Sequence, residues 1–429
     1  MTATCTRQVP TATLLHSARR GQPGLKAGND QAMINTSRGA DTRPRDEPVD
    51  FAFSADQIAL RAASAKLFAE RVPADRLHAI ADEPDPPGAY GGYDAALWAE
   101  LVALGWVGVS TPDGGGTFLD EVVLLEEAGR ALLTVPLLSG VIATPALVAV
   151  TGGANRPAAT RRTAIAWAEM RGPAAFGDVA EVTCEAVRGP AGDWRLSGTK
   201  SDIPDLGAAE QAIVVARTPE GPGVFLVELA RRPDPAPVLG LLDTTDGTRR
   251  IGQLFMDAVP AIALAADSPT VGTVLTAMRR RALAGLAAEC VGVASWALEA
   301  AAAHASQREQ FGRVIGTYQA VSHQIADAYV QTELARSLAY RAAWFVATAE
   351  TEPDQVEPAA VDSACSAAKA AAGDAAVFGC EVTIQVLGGV GMTWEHLAHR
   401  YYKRALASRT YGGGPAEHRS VVAAALLDN

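Results

Sequence analysis

The hydrophobic period of this chain changes twice along its length, and those two changes limit the folds open to it. From Ser54, an N-cap residue type, Ile58, Ala62, Ala65 and the Phe68–Ala69 pair recur at three- and four-residue spacing, the repeat of a helix that buries one face. The pattern predicts a second helix from Asp94 to Leu104, stopped by Gly105, and another from Phe118 to Leu133 beyond a loop of Pro112, Asp113, Gly114, Gly115 and Gly116. Between about Thr163 and Pro260 the period becomes two. Val182, Cys184 and Ala186 alternate, then Trp194 and Leu196, then Ile213–Val215 and Val224–Val227, with Gly189-Pro190 and Gly221-Pro222-Gly223 as turns. After Pro269 the helical repeat returns, with Leu283, Leu286, Cys290, Val293 and Ala297 on one stripe. The alanines of 285–305 and 363–376 let helices approach closely. The expectation is an α+β chain: a disordered tail over 1–50, an N-terminal all-α domain over 51–162, a small antiparallel β-barrel domain over 163–268 and a C-terminal four-helix bundle over 269–429.

Composition narrows the function. With 429 residues, 48% of them hydrophobic, the chain can bury two or three cores without staples. A formal net charge of -11, with no basic run interleaved with aromatics, argues against nucleic acid and anionic membrane as partners. Cys5, Cys184, Cys290, Cys365 and Cys380 are widely spaced, without a CxxC pair or a His cluster at ligand intervals, which reads as reduced thiols in a cytoplasmic protein with no metal site. The apolar stretch from Ala282 to Ala303 is rich in alanine and carries Glu289 and Glu299, so no transmembrane span is expected. Residues 1–29 hold Arg7, Arg19, Arg20 and Lys26 and no acid, in the manner of a transit peptide; a disordered tail, or a true start at Met33, is the simpler reading.

Two strings are more specific. REQFGRVIGTYQAVSHQIADAY runs from Arg308 to Tyr329, and QVLGGVGMTWEH from Gln385 to His396. Three weaker ones are LWAELVALGWVGVSTPDGGG (Leu97–Gly116), LEEAGRAL (Leu125–Leu132) and WRLSGTKSDIPD (Trp194–Asp205). Together they resemble segments of the acyl-CoA dehydrogenase family, from roughly Ser54 to the C-terminus. The resemblance implies FAD lying across a subunit interface. Arg308 would then meet its pyrophosphate, Phe311 would pack against the cofactor, and Gln319 would hydrogen-bond it. Gln385, Gly388 and Gly389 would let backbone approach the adenosine-diphosphate end. All six would reach a neighbour's cofactor. Taken singly, Arg308 reads as a surface ion pair, Phe311 as core and Gly388-Gly389 as a helix terminator; taken together in register, the cofactor reading prevails. His323 and His396 lack ligand partners at helical spacing and receive no catalytic role.

The resemblance also implies residues that this chain does not have. Dehydrogenation needs a carboxylate to take the α-proton while hydride passes to the flavin, and most family members carry it in a YEGT-like segment. Here that stretch reads Tyr411-Gly412-Gly413-Gly414-Pro415-Ala416, with Gly412 in place of the glutamate. A second position used by some relatives falls on Ala282, beside Arg280 and Arg281. The TEPGAGSD-like loop and WITN-like strand that face the isoalloxazine become Ala168-Glu169-Met170-Arg171-Gly172 and Asp202-Ile203-Pro204-Asp205, with Trp167 near but out of register.

Three readings stay open. In the first, the chain is the non-catalytic partner in an α2β2 acyl-CoA dehydrogenase acting on CoA thioesters of steroid side chains or other bulky acids, with electron-transfer flavoprotein as acceptor. In the second, it is a homotetrameric dehydrogenase with a relocated base, for which Glu417, Glu395 and Glu289 are candidates. In the third, it is a flavin-free scaffold.

Overall fold

The computed structural model describes residues 53–82, 93–149, 160–169, 176, 179–230, 233–266 and 269–427. The tail expected over 1–50, with Cys5 and Met33, lies outside them, as do Met170, Arg171 and Gly172.

Among the described residues five helices come first: α1 (Ala55–Arg71), α2 (Ala74–Asp82), α3 (Ala95–Ala103), α4 (Phe118–Arg130) and α5 (Leu137–Ala149). Ser54 caps α1 in a reciprocal box with Gln57, and Asp94 caps α3 through the Leu97 N–H. The predicted third helix ends at Arg130 rather than Leu133, because Leu132 turns left-handed at φ 48°. The sequence reading passed over α2 and α5. The latter is apolar all round and contains Pro145, so it lacks the stripe that marks a helix by period.

Seven strands follow among the described residues: β1 (Thr163–Ala166), β2 (Glu185–Arg188), β3 (Trp194–Pro204), β4 (Gln211–Thr218), β5 (Gly221–Glu228), β6 (Val238–Leu242) and β7 (Ile251–Ala265). β4 pairs with β5 on one side and with β1 and β2 on the other. The 15-residue β7 pairs in turn with β3, β6 and β5. This wraps the sheet into a small barrel. Most pairings are antiparallel; β1 and β2 meet β4 in parallel.

The C-terminal part holds α6 (Thr270–Gln307), the two-residue strands β8 (Glu309–Gln310) and β9 (Arg313–Val314), then α7 (Gln319–Thr351), α8 (Pro358–Leu387), α9 (Ala398–Thr410) and α10 (Pro415–Leu427). Three long helices make the bundle, and short α9 and α10 pack against α8. By length and hydropathy α6 and α8 could each cross a membrane, but 67% and 50% of their apolar windows are buried inside this chain, as in core helices. Cys184, Cys290, Cys365 and Cys380 are all buried and unpaired. Among the described residues no group of His, Cys, Asp or Glu could hold a metal ion.

Helices α4 and α6 touch backbone to backbone. A Cβ on Gly292 would fall 1.9 Å from the Glu126 carbonyl oxygen, and one on Gly129 would fall 2.1 Å from that of Glu289. No rotamer change relieves a clash with backbone, so Gly292→Ala must separate the helices. The expected loss is about 3 kcal/mol of stability, read as a lower denaturant midpoint at unchanged slope.

Candidate functional site

Helices α6 and α8 run parallel, each antiparallel to α7, so the C-termini of α6 and α8 and the N-terminus of α7 share one end of the bundle. A small apolar cluster of Ala301, Ala305, Ala328, Val382 and Val386, joined by Ile315, Val321 and Ile325, binds that end together. The two family-like strings, which begin 77 positions apart in sequence, therefore meet there.

Arg308 is the C-cap of α6, exposed, its backbone N–H bonded to the His304 carbonyl at 2.9 Å. Its guanidinium forms no ion pair or hydrogen bond among the described residues. Next comes the β8–β9 hairpin, whose Gln310↔Arg313 pairing leaves Phe311 and Gly312 as turn residues. Both are left-handed, at φ 54° and 80°, the signature of a type I′ turn, in which a bulky residue at the first position is strained. Phe311 is 91% exposed, which corrects the plainer reading of it as core. The hairpin is braced beneath: the Tyr318 hydroxyl donates to the Gln310 carbonyl at 3.2 Å, and the Arg313 guanidinium lies 3.8 Å above the Tyr318 ring. Gln319 opens α7 and is exposed.

Gln385 is exposed in the last turn of α8, and Gly388 ends that helix at φ 62°, a conformation glycine adopts freely. Gly389 is exposed, with nothing within 4 Å of where its Cβ would be. Nothing among the described residues requires a glycine there. Val390, Met392 and Trp394 are exposed beside it. Of the histidines, His323 is exposed on α7, while His396 accepts the Ala398 N–H at 3.1 Å and lies near the Trp296 ring.

The segments that the resemblance expects at a chain's own cofactor site are built differently. Lys200 is buried and donates to the Trp167 carbonyl at 3.0 Å and to Glu169 at 2.7 Å; Glu169 also accepts the Cys184 N–H at 2.8 Å. Burial lowers the Lys200 pKa. Burial alone would raise that of Glu169, but Lys200, Thr183 and Cys184 outweigh it and lower it. Tyr411 packs edge-on against Phe176 at 5.6 Å, and Phe176 against Trp167 at 5.6 Å. Gly412 and Gly413 turn at φ 78° and 105°. Lys369 holds this turn by donating to the Arg409 and Gly413 carbonyls at 3.1 and 3.4 Å. His418 Nε2 lies 3.0 Å from the Gly412 carbonyl. Burial, then the nearby Lys369, pushes the His418 pKa down to about 4, so the neutral ring donates its Nε2–H.

Asp202, Pro204, Thr244, Arg249, Arg404 and Tyr411 border a cavity of about 420 Å³ between the barrel and α9. The sequence reading missed its ion pairs. Arg249 Nη2 donates to both Glu289 oxygens at 2.6 and 2.8 Å, and Arg404 Nε donates to Asp246 at 2.7 Å. Glu289 is thus tied up in an ion pair. Glu417 accepts the Gly414 N–H at 2.9 Å at the start of α10, and Glu395 is exposed beside Trp394. Ala282 is buried, while Arg280 pairs with Asp362 at 2.7 Å and Arg281 with Glu121 at 2.9 Å.

A Cβ on Gly412 would lie 3.3–3.6 Å from Leu286, Phe176 and Leu283. Gly412→Glu therefore combines left-handed strain with a carboxylate among apolar side chains, and is expected to cost about 2–4 kcal/mol. Thermal melts of the two forms check this.

Residues 275–427 match the model of the acyl-CoA dehydrogenase C-terminal domain. The chain is 30% identical to acyl-CoA dehydrogenase IpdE2 of Mycobacterium tuberculosis, over 76% of this chain and 85% of that one. It belongs to the acyl-CoA dehydrogenase family. Another relative, acyl-CoA dehydrogenase FadE27 of Mycobacterium tuberculosis, is 29% identical over 75% of this chain and 85% of that protein. Among solved structures, a variant of the Tcur3481-Tcur3483 steroid ACAD superposes with a TM-score of 0.73 at 32% identity, covering 87% of this chain and 98% of that one. The ChsE4-ChsE5 complex of Mycobacterium tuberculosis shares the fold, with a TM-score of 0.73 at 23% identity over 89% of this chain and 100% of that one. Members of this family of oxidoreductases use FAD.

Proposed function

We propose that this acyl-CoA dehydrogenase family chain is the non-catalytic partner in an α2β2 dehydrogenase, completing the flavin site of a homologous, glutamate-bearing subunit. One contrast carries the reading. The groups that would reach a neighbour's cofactor stand exposed at one end of the bundle, whereas at the chain's own expected site Glu169 is paired with Lys200 and Tyr411 is packed on Phe176. Arg308 would meet the pyrophosphate as a charge-assisted donor, Phe311 would cover the adjoining apolar part, Gln319 and Gln385 would supply amide hydrogen bonds, and Gly388-Gly389 would admit the adenosine-diphosphate end. FAD supplies the hydride acceptor when bound. This chain's residues hold and orient it, while the α-proton goes to the partner's carboxylate.

Gly412 and Ala282 leave no carboxylate at either usual position, and of the three alternative candidates Glu289 is held by Arg249 at 2.6 and 2.8 Å, while Glu417 accepts the Gly414 N–H at 2.9 Å. The substrate class proposed is CoA thioesters of bulky acids such as steroid side chains, in keeping with the steroid relative. Electron-transfer flavoprotein in the cytoplasm is the proposed acceptor.

The test is anaerobic addition of steroid side-chain and branched acyl-CoA thioesters to each chain alone and to the co-expressed pair. The pair is expected to bleach at the flavin band and this chain alone to stay unchanged. Bleaching by this chain alone would sink the reading.

A further inference from the structure

Of the seven tryptophans only Trp394 stands exposed, at 61%, although a ring of this size is mostly buried in folded proteins. It follows closely on Gly388 and Gly389. A 3₁₀ turn runs over Gly388–Met392, and the Thr393 N–H and hydroxyl both donate to the Val390 carbonyl, at 3.1 and 2.8 Å. At about 2 Å per residue in such a turn and about 3.3 Å beyond it, Trp394 lies within roughly 13 Å of Gly389. The ring is held from beneath. It stacks on His399 at 4.5 Å and 22°, and His399 Nε2 donates to the Trp394 carbonyl at 3.3 Å. Burial, with Arg400, Lys403 and His78 close by, lowers the His399 pKa, so a neutral imidazole supports the indole at neutral pH. Beside it Arg400 ties α9 to α2, donating from Nε to His78 Nδ1 at 2.9 Å and pairing with Asp82.

An indole fixed on one face and open elsewhere is suited to a flat ligand, and its surroundings say of which kind. Lys403 Nζ lies 4.6 Å and the Arg400 guanidinium 5.6 Å from the ring centroid. Arg400 has Asp82 as its counter-ion, whereas Lys403 forms no ion pair or hydrogen bond among the described residues. An apolar protein surface laid over Trp394 would strand that ammonium away from water, while a flat ring that carries an anion would leave it paired. The open backbone of Gly389 and the exposed Arg308 guanidinium share this end of the bundle. We infer that Trp394 is the stacking platform for the purine ring of the dinucleotide whose pyrophosphate Arg308 meets, and that His399 is the positioning residue that holds the platform in place. The inference rests on the partner-subunit reading above, and adds to it a side chain that distinguishes FAD from flavins without adenine.

The experiment is equilibrium dialysis of the co-expressed pair against FAD and against FMN, which has the flavin ring and a phosphate but no adenosine. Trp394→Ala is expected to weaken FAD about five- to a hundredfold, the range of base–aromatic stacking, and to leave FMN affinity unchanged. Trp394→Phe keeps a ring and is expected to recover most of the FAD affinity. His399→Ala, which leaves the indole unsupported, is expected to fall between the two, again for FAD only. A Trp394→Ala pair that binds FAD as the unaltered pair does, or that loses FAD and FMN equally, overturns the platform. So does dissociation of that pair on size exclusion, which would assign Trp394 to packing between subunits. If the unaltered pair purifies without flavin, the partner-subunit reading itself has failed, and that outcome is visible before any variant is made.

Discussion

Replacing Arg308 by alanine is expected to strip flavin from the co-expressed pair while leaving the pair assembled. The guanidinium is exposed and forms no ion pair among the described residues, so removing it costs this chain nothing in folding. Against a pyrophosphate, a hydrogen bond to a charged group contributes about 1.5–3 kcal/mol. At about 1.4 kcal/mol per decade, flavin affinity should fall between about tenfold and somewhat over a hundredfold. Equilibrium dialysis of flavin from the pair measures this, with size exclusion reporting assembly. Arg308→Lys keeps the charge but loses the planar fork, and an intermediate loss is expected. If dialysis finds Arg308→Ala unchanged, the guanidinium does not touch the cofactor.

Asp246→Ala is expected to be the most damaging single change in the barrel–bundle contact. Arg404 and Asp246 are both almost wholly buried, 2.7 Å apart, and Thr248 donates its N–H to the same carboxylate at 2.9 Å. Removing the acid leaves an uncompensated guanidinium in the interior, at a cost of about 3–5 kcal/mol. The double variant Asp246→Ala with Arg404→Met should recover much of that loss, since no charge is then stranded.

The acid limb of the stability profile follows from the same pair. Burial opposes ionisation of Asp246, but Arg404 and Thr248 outweigh it and hold its pKa below the usual carboxylate range. A depressed folded pKa means stability that is present above the unfolded value of about 4 and is lost as pH falls through the folded value. Urea midpoints of the unaltered chain should therefore fall below about pH 4, and those of Asp246→Ala should fall less steeply.

How much of this was legible beforehand depended on how local the signal was. The switch of period located the barrel, since the alternation in Val182–Ala186 and the short apolar run Val224–Val227 are set by neighbours in sequence. The Arg308–Tyr329 and Gln385–His396 strings marked the acyl-CoA dehydrogenase family for the same reason. α5 escaped because a helix buried all round has no stripe, and the parallel pairing of β1 and β2 with β4 escaped because pairing partners are not written locally. The ion pairs Arg249–Glu289 and Arg404–Asp246 join residues 40 and 158 positions apart. Only the fold brings them together, so Glu289 stood in the sequence as a candidate base.

The most direct measurement is the ratio of bound flavin to protein, by visible absorbance, for this chain purified alone and then co-expressed with a homologue carrying a glutamate in its YEGT-like segment. The partner-subunit account predicts a colourless chain alone and about one flavin per two chains in the pair. A chain that purifies yellow by itself, with one flavin for every chain, would contradict it.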